Sequence, residues 1–340
     1  MLSTVILIMM CLVFLLVAFV LWAVCLRLGL RWAKVEGVTT RRIIYATAVV
    51  FALQWLASIP ACFLAWRVDP QTVPAALVQF AAAVLFPGLV IAHVFKSRLR
   101  RSFQAWVPTL ASGVANTILA LLLVRPFLVE AFSVPTNAMA PTLLGNHVRG
   151  TCPECGRPSA ATVPPLAMSA PSTRFQYMIC ENFHVSQGLV GTRVYPGDRF
   201  LAAKYLRPRR WDLVIFRNPA EPWEQYVKRL VGLPGEEILI KDGAVWANGT
   251  KLTPPDSIRS IKYLSEFPNA PVIVWGSINH PAQLTAHEYF VLGDFSANSE
   301  DSRFWSQGAR GHHPFAVPQS YVRGVVTHIY WPPQRGRVLR

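Results

Sequence analysis

Four stretches near the start of this 340-residue chain are almost free of charge and long enough to cross a membrane: Leu2 to Leu26, Ile43 to Trp66, Val73 to Phe95 and about Val107 to Leu128. A hydrocarbon core of about 30 Å takes roughly 20 residues of helix. Apolar segments of that length constrain everything else, because such helices must bury their backbone polar groups within themselves. The composition agrees, with 52% hydrophobic and 15% charged residues. The formal charge of +15 is concentrated where apolar runs end, at Arg27, Arg31, Lys34, Arg41, Arg42, Lys96, Arg98, Arg100 and Arg101. Charge so placed reads as a topology signal and not as a phosphate-binding face, so nucleic acid is excluded as a partner and membrane lipid is expected. Basic loops face the cytoplasm. Four spans then put the chain after Glu130 on the extracytoplasmic side of the cell membrane. The first run lacks a basic leader and a small-residue cleavage site, and reads as a retained span. Pro87 and Gly88 in the third run predict a kink.

Residues 1–129 are therefore expected to form a multi-pass membrane anchor, and residues 130–340 a separate, mainly antiparallel β domain. Beyond Glu130 the apolar runs shorten to strand length and alternate with polar residues. Strands are expected at Phe200–Ala203, Leu213–Phe216, Tyr226–Val231, Ile238–Ile240, Ala244–Trp246, Val272–Trp275, Tyr289–Leu292 and Tyr321–Tyr330. Asp242-Gly243 and Asn248-Gly249 carry the residues that close tight hairpins. The region from His147 to Tyr195 is rich in Pro, Ser, Ala and Thr and interrupts this pattern, so it reads as an inserted Cys-rich subdomain.

Four ordered blocks carry chemistry. The first runs out of the fourth apolar stretch: Val134-Pro135-Thr136-Asn137-Ala138-Met139-Ala140-Pro141-Thr142-Leu143. Then come Gly197-Asp198 with Lys204, Tyr226-Val227-Lys228-Arg229-Leu230-Val231-Gly232 with Pro234-Gly235, and Gly293-Asp294 through Asn298-Ser299-Glu300-Asp301-Ser302-Arg303. Their order and content resemble the type I signal peptidase family, Ser/Lys-dyad serine endopeptidases that remove signal peptides from exported preproteins. The resemblance runs from about Ile118 to Pro332, apart from the insertion. It implies a mainly β catalytic domain, preprotein signal peptides as partners and no catalytic cofactor. Lys228 would be the general base, a role for which a lysine must lie in an apolar layer that lowers its pKa. The stretch around it, with Val227, Leu230 and Val231, is of that kind. The resemblance gives Ser299 the task of holding the lysine amine, Thr136 that of an oxyanion donor, and Asp301 with Arg303 that of bracing the loop. Met139 and Pro141 would support the cleft wall.

The departure is at Ala138, where the family keeps its nucleophilic serine. A methyl group cannot attack a carbonyl, and loss of the nucleophile from a coupled catalytic unit costs about a million-fold in turnover. Two readings follow: a peptidase-type protein in which another hydroxyl substitutes, Thr136 before Ser133 or Thr142, or an inactive paralogue that binds preproteins or acts as a scaffold. Cys152, Cys155, Cys180 and His184 in the insertion form a Cys-x2-Cys knuckle and a Cys-x3-His pair, suited to a structural zinc. A Cys152–Cys155 disulfide, favoured by an oxidising exterior, and free thiols remain the alternatives.

Overall fold

A computed structural model describes residues 2–67, 73–163, 175–266 and 273–340; side chains of 58–67 and 73–82 lie outside the description. The chain divides into two compact units, Met1–Leu123 and Val124–Arg340. The first is helical: α1 (Leu2–Trp32), α2 (Thr40–Arg67), α3 (Val73–Phe95), α4 (Leu99–Trp106) and α5 (Thr109–Leu119), followed by a π-helical turn at Ala120–Val124. Its core joins Trp22, Leu26 and Leu30 of α1 to Ile43 and Val50 of α2 and to Ile91 and Phe95 of α3. Gly29 lets α1 approach α4 closely, since a Cβ there would lie 1.9 Å from the Ala105 carbonyl oxygen.

Among the described residues two helical tracts, not four, are long and apolar enough to span a membrane: Ile8–Trp32 and Leu99–Phe127. The described side chains of α2 run from Thr40 to Ala57 and include Arg41 and Arg42, and the described apolar part of α3 is the shorter Ala83–Phe95. The rest of the two middle spans falls on residues whose side chains are outside the description. The last tract begins earlier than Val107, because the basic residues Arg100 and Arg101 are taken into α4. Pro108 lacks an amide hydrogen and separates α4 from α5.

The second unit opens with α6 (Arg125–Phe127) and is otherwise β. Its main sheet contains β1 (Val129–Ser133), β6 (Arg199–Ala203), β7 (Leu213–Arg217), β8 (Gln225–Gly232), β13 (Glu288–Leu292), β14 (Val317–Pro318), β15 (Val322–Trp331) and β16 (Arg337–Val338). The order is β1-β6-β15-β7-β8-β13-β14, with β16 pairing off β15, and the pairs are antiparallel. Leu213 to Phe216 are all buried, which explains the unbroken apolar run of a strand covered on both faces. A second sheet, β11-β10-β9-β12, comprises β9 (Glu237–Lys241), β10 (Ala244–Ala247), β11 (Thr250–Lys251) and β12 (Ala282–Gln283). Its two hairpins turn where positive φ was required, at Asp242 (52°) with Gly243 (75°) and Asn248 (49°) with Gly249 (75°). Ile238, Ile240 and Val245 pack with Tyr263, Phe290 and Phe315.

The segment expected to be an insertion carries a third sheet, the meander β2 (His147–Thr151), β3 (Pro158–Thr162), β4 (Phe175–Cys180) and β5 (Val185–Leu189). Its Pro, Ser and Ala content concealed these strands. One expected strand is absent: Val272 lies outside the described residues, and from Ile273 the chain leads into a turn. The Trp275 amide donates to the Arg303 carbonyl and Gly276 takes φ 78°, so this backbone is committed to a loop.

Glu288 at the start of β13 is fully buried and unusually well served. It accepts hydrogen bonds from the backbone amides of Thr285 and His313, and both His312 Nδ1 (3.0 Å) and His313 Nδ1 (2.9 Å) contact its carboxylate. Burial alone would raise its pKa; the His313 side chain and these amides overcome that and hold it down at about 2. Its stabilising effect is complete above the usual glutamate range near 4.3 and is lost as pH falls through about 2. Glu288→Gln is expected to lower unfolding free energy by about 2 kcal/mol at neutral pH. Chemical denaturation of both forms should show the gap closing toward pH 2.

Candidate active site

The first chemical block leaves β1 and turns back sharply. Val134 N donates to the Asp198 carbonyl, and the Ala140–Pro141 peptide bond is cis. Met139 and Leu143 are buried against Phe200, Leu213 and Ile215, which fixes the turn onto the main sheet. Asn137 is buried; its side-chain amide donates to the carbonyls of Asn146 (2.9 Å) and Ala161 (3.3 Å), and its oxygen accepts from Gly145 N (3.0 Å). Arg335 and Arg337 reach back from beyond Trp331 to the carbonyls of Pro141 (3.1 Å) and Thr142 (2.8 Å). Arg335 also pairs with the buried carboxylate of Asp198.

Lys228 projects from β8, opposite Val214 of β7, and is 5% exposed. Its Nζ lies 3.1 Å from Ser299 Oγ. Burial lowers its pKa to about 8, against the opposing pull of Asp301. At pH 7.4 roughly one amine in five is then neutral, compared with about one in a thousand for an ordinary lysine. The neighbouring Arg229 turns to the other face and forms a buried bidentate pair with Asp294, Nε–Oδ1 2.7 Å and Nη2–Oδ2 2.5 Å. Thr142 donates its hydroxyl to the same carboxylate, so it is engaged in structure and is not a free hydroxyl of the cleft.

Asp301 and Arg303, both fully buried, hold the Ser299 loop. Arg303 grips Asp301 through Nε and Nη2, each at 2.9 Å, and reaches the Leu264 carbonyl and Ser296. Asp301 accepts the Gly293 amide at 2.9 Å. Burial would raise the Asp301 pKa, but the Arg303 charge and hydrogen bonds keep it below the usual range. Gly293 shows how tightly the halves meet: a Cβ on it would lie 1.9 Å from Ser299 Oγ and 2.7 Å from the Ala138 carbonyl oxygen. That carbonyl accepts the Phe295 amide at 3.1 Å. Ala138 is thus brought beside the residue that holds the lysine.

Thr136, Ala138, Met139, Lys228 and Ser299 line one cleft of about 630 Å³ together with Phe132, Ser133, Val227 and Tyr226. Thr136 is exposed and Ala138 half-buried. Pro141, Asp301 and Arg303 stand behind the wall. Sequence reasoning did not assign roles to Asn137, the Arg229–Asp294 pair or Arg335, whose partners are brought together only by the fold; the asparagine between two cleft residues was the one local signal.

The cysteine and histidine side chains of the insertion form a second cluster. One ligand atom from each of Cys152, Cys155, Cys180 and His184 lies within 4.8 Å of all the others. Cys155 Sγ to Cys180 Sγ and Cys152 Sγ to His184 Nδ1 are both 3.7 Å, and no disulfide joins the three cysteines.

The sequence model of the family described as "Signal peptidase, peptidase S26" matches residues 162–331. That range takes in Lys228 and Ser299 and begins after Ala138. Signal peptidase I of Pseudomonas aeruginosa is 27% identical over 210 residues, 55% of this chain and 58% of that protein. Signal peptidase I of Leptolyngbya laminosa is 31% identical over 150 residues, 41% of this chain and 62% of that protein. The chain therefore spans less than two thirds of the length of these curated relatives. A crystal structure of a signal peptidase I from Enterococcus faecalis is 28% identical and covers 36% of this chain and 98% of that one, with a TM-score of 0.28.

Lys228 holds its proton less tightly folded than unfolded, so the folded state loses stability as pH drops from about 10.4 through 8. Lys228→Met is expected to raise unfolding free energy by up to about 3 kcal/mol below pH 8. The gain should shrink between pH 8 and about 10.4. Thermal or urea unfolding across that range measures it.

Proposed function

Because the chain belongs to the S26 signal peptidase family, we propose that it is a membrane-held protein that binds the signal peptides of exported preproteins in the cleft beside Lys228. The buried Lys228–Ser299 contact at 3.1 Å carries this reading. A lysine desolvated to a pKa of about 8 and held by a hydroxyl is an arrangement for removing a proton at neutral pH. The peptide is expected to lie extended along β1, which ends the main sheet and contributes Phe132 and Ser133 to the cleft.

Chemistry through position 138 is blocked, because alanine has no proton to give and no lone pair to attack with. Binding without acyl-enzyme formation at that position is the outcome. A second reading, cleavage with Thr136 as substitute nucleophile, is favoured by its exposure in the same cleft. The base would take the threonine proton, the hydroxyl oxygen would bond to the scissile carbonyl, and the leaving amine would depart with a proton. The main-chain run from Thr136 to Ala138 would have to shift by one side-chain position, and about 1 Å of misplacement costs some hundred-fold.

The two apolar tracts support a multi-pass membrane location. Arg27, Arg31 and Lys34 close the first, and Lys96, Arg98, Arg100 and Arg101 open the second. The positive-inside rule puts those charges in the cytoplasm and the β unit outside it. Ser/Lys-type chemistry needs no cofactor, and a structural zinc is assigned to the Cys152, Cys155, Cys180 and His184 cluster.

Ala138→Ser is expected to create or raise cleavage of a preprotein with alanines ahead of its cut site by at least a hundred-fold, measured with purified protein in detergent. Wild-type cleavage abolished by Thr136→Ala would establish the second reading. An inert, folded Ala138→Ser variant would overturn the alignment of the site.

A further inference from the structure

The zinc assignment has a consequence for the cleft. Zn–S bonds of about 2.3 Å and Zn–N bonds of about 2.0–2.1 Å make tetrahedral edges of about 3.8 Å between sulfurs and about 3.6 Å between sulfur and nitrogen. Both observed separations are 3.7 Å. Two tight turns deliver the ligands. In one, Gly156 takes φ 70° and its amide donates to the Cys152 carbonyl at 2.8 Å. In the other, Phe183 takes φ 62° and its amide donates to the Cys180 carbonyl at 2.9 Å. A bulky side chain seldom adopts that conformation unless something over-determines it. The β2–β5 sheet has only a small cluster of its own, Val148, Ala161, Met178 and Val190, and so small a core ordinarily needs a metal or cross-link to hold its shape.

The same sheet is built into the site. Ile179, next to Cys180, is buried with Ala160 against Ala140, Leu144 and Phe295, and Phe183, next to His184, packs on that cluster. Ala140 and Leu144 belong to the turn of Ala138, and Phe295 donates its amide to the Ala138 carbonyl. Asn137 reaches the Ala161 carbonyl at 3.3 Å. Asn298, adjacent to Ser299, donates to Thr162 Oγ1 at 2.7 Å, and Thr162 itself lines the cleft.

We propose that zinc bound by Cys152, Cys155, Cys180 and His184 sets the geometry of the peptide cleft, by fixing the sheet whose buried face and Thr162 edge position both the Ala138 turn and the Ser299 loop. Thr162 and Asn137 are positioning residues in this scheme. It rests on the zinc assignment and the family site, and a change of metal occupancy becomes a change in how the lysine and the peptide are held.

The test uses the full-length protein in detergent, with zinc ion as the probe. Elemental analysis is expected to find one zinc per chain, and thiol counting no disulfide in the insertion. Chelation should weaken binding of a fluorescent alanine-rich signal peptide at least tenfold. It should also move the midpoint of Lys228 labelling by a small amine reagent upward from about 8, as water reaches the amine. Zinc should reverse both. Thr162→Val should keep its zinc and shift both readouts the same way by a smaller amount, and Thr162→Ser should restore them. Absence of bound zinc, or a disulfide in its place, overturns the proposal. So does loss of zinc that leaves both the labelling midpoint and the peptide affinity unchanged. If no peptide binds in either state while the midpoint follows zinc, the peptide-binding reading fails and the metal linkage stands.

Discussion

The amine of Lys228 taken out of water and held against Ser299 is the interaction around which the β unit is arranged. An ammonium group in an apolar layer is unfavourable on its own, so its neighbours are specified closely. Asp301 supplies compensating charge, Arg303 neutralises Asp301, and Gly293 keeps the space in which Ser299 and the Ala138 carbonyl meet. Arg229, the next residue, is buried for the opposite reason: bidentate pairing with Asp294 makes a permanent strut and leaves its charge in place. Adjacent basic residues on one strand thus serve one titrating and one fixed role, and the alternation of β8 is what separates them.

Alanine at position 138 leaves this arrangement without an unmet polar group at that point. Ala138 needs no hydrogen-bond partner, and its backbone carbonyl is satisfied by Phe295. The surrounding groups, Lys228, Ser299, Asp301 and Arg303, still satisfy one another. The chain bears the energetic burden of a lowered lysine pKa whatever stands at position 138.

Much of this was legible in the sequence for definite reasons. The hairpins at Asp242-Gly243 and Asn248-Gly249 follow from residues able to adopt positive φ, and the buried strand at Leu213–Phe216 from an unbroken apolar run. Lys228 and Ser299, 71 residues apart in sequence, could be paired only through the family resemblance. Local pattern gave no sign of the Asn137–Ala161 or Arg335–Pro141 contacts, since each joins a side chain to a backbone carbonyl, and a carbonyl has no sequence signature. The strands of the insertion were hidden because Pro, Ser and Ala are poor strand formers in isolation, and their pairing is set by tertiary context. Of the four apolar runs read as spans, two satisfy length and hydropathy among the described residues; the two middle runs are described only in part, through residue 57 of α2 and from Ala83 of α3.

The reach of Arg335 and Arg337 across more than 190 residues to the Pro141 and Thr142 carbonyls also orders events during synthesis. The turn at Ala138 emerges early, yet the two guanidinium groups that lock it are made late. A nascent chain halted at β14 already has the lysine, the serine and the cysteine cluster, but its turn is secured only from one side. Contacts so distant along the chain are slow to form, so maturation of the cleft is postponed until more than 190 residues beyond the turn have been made.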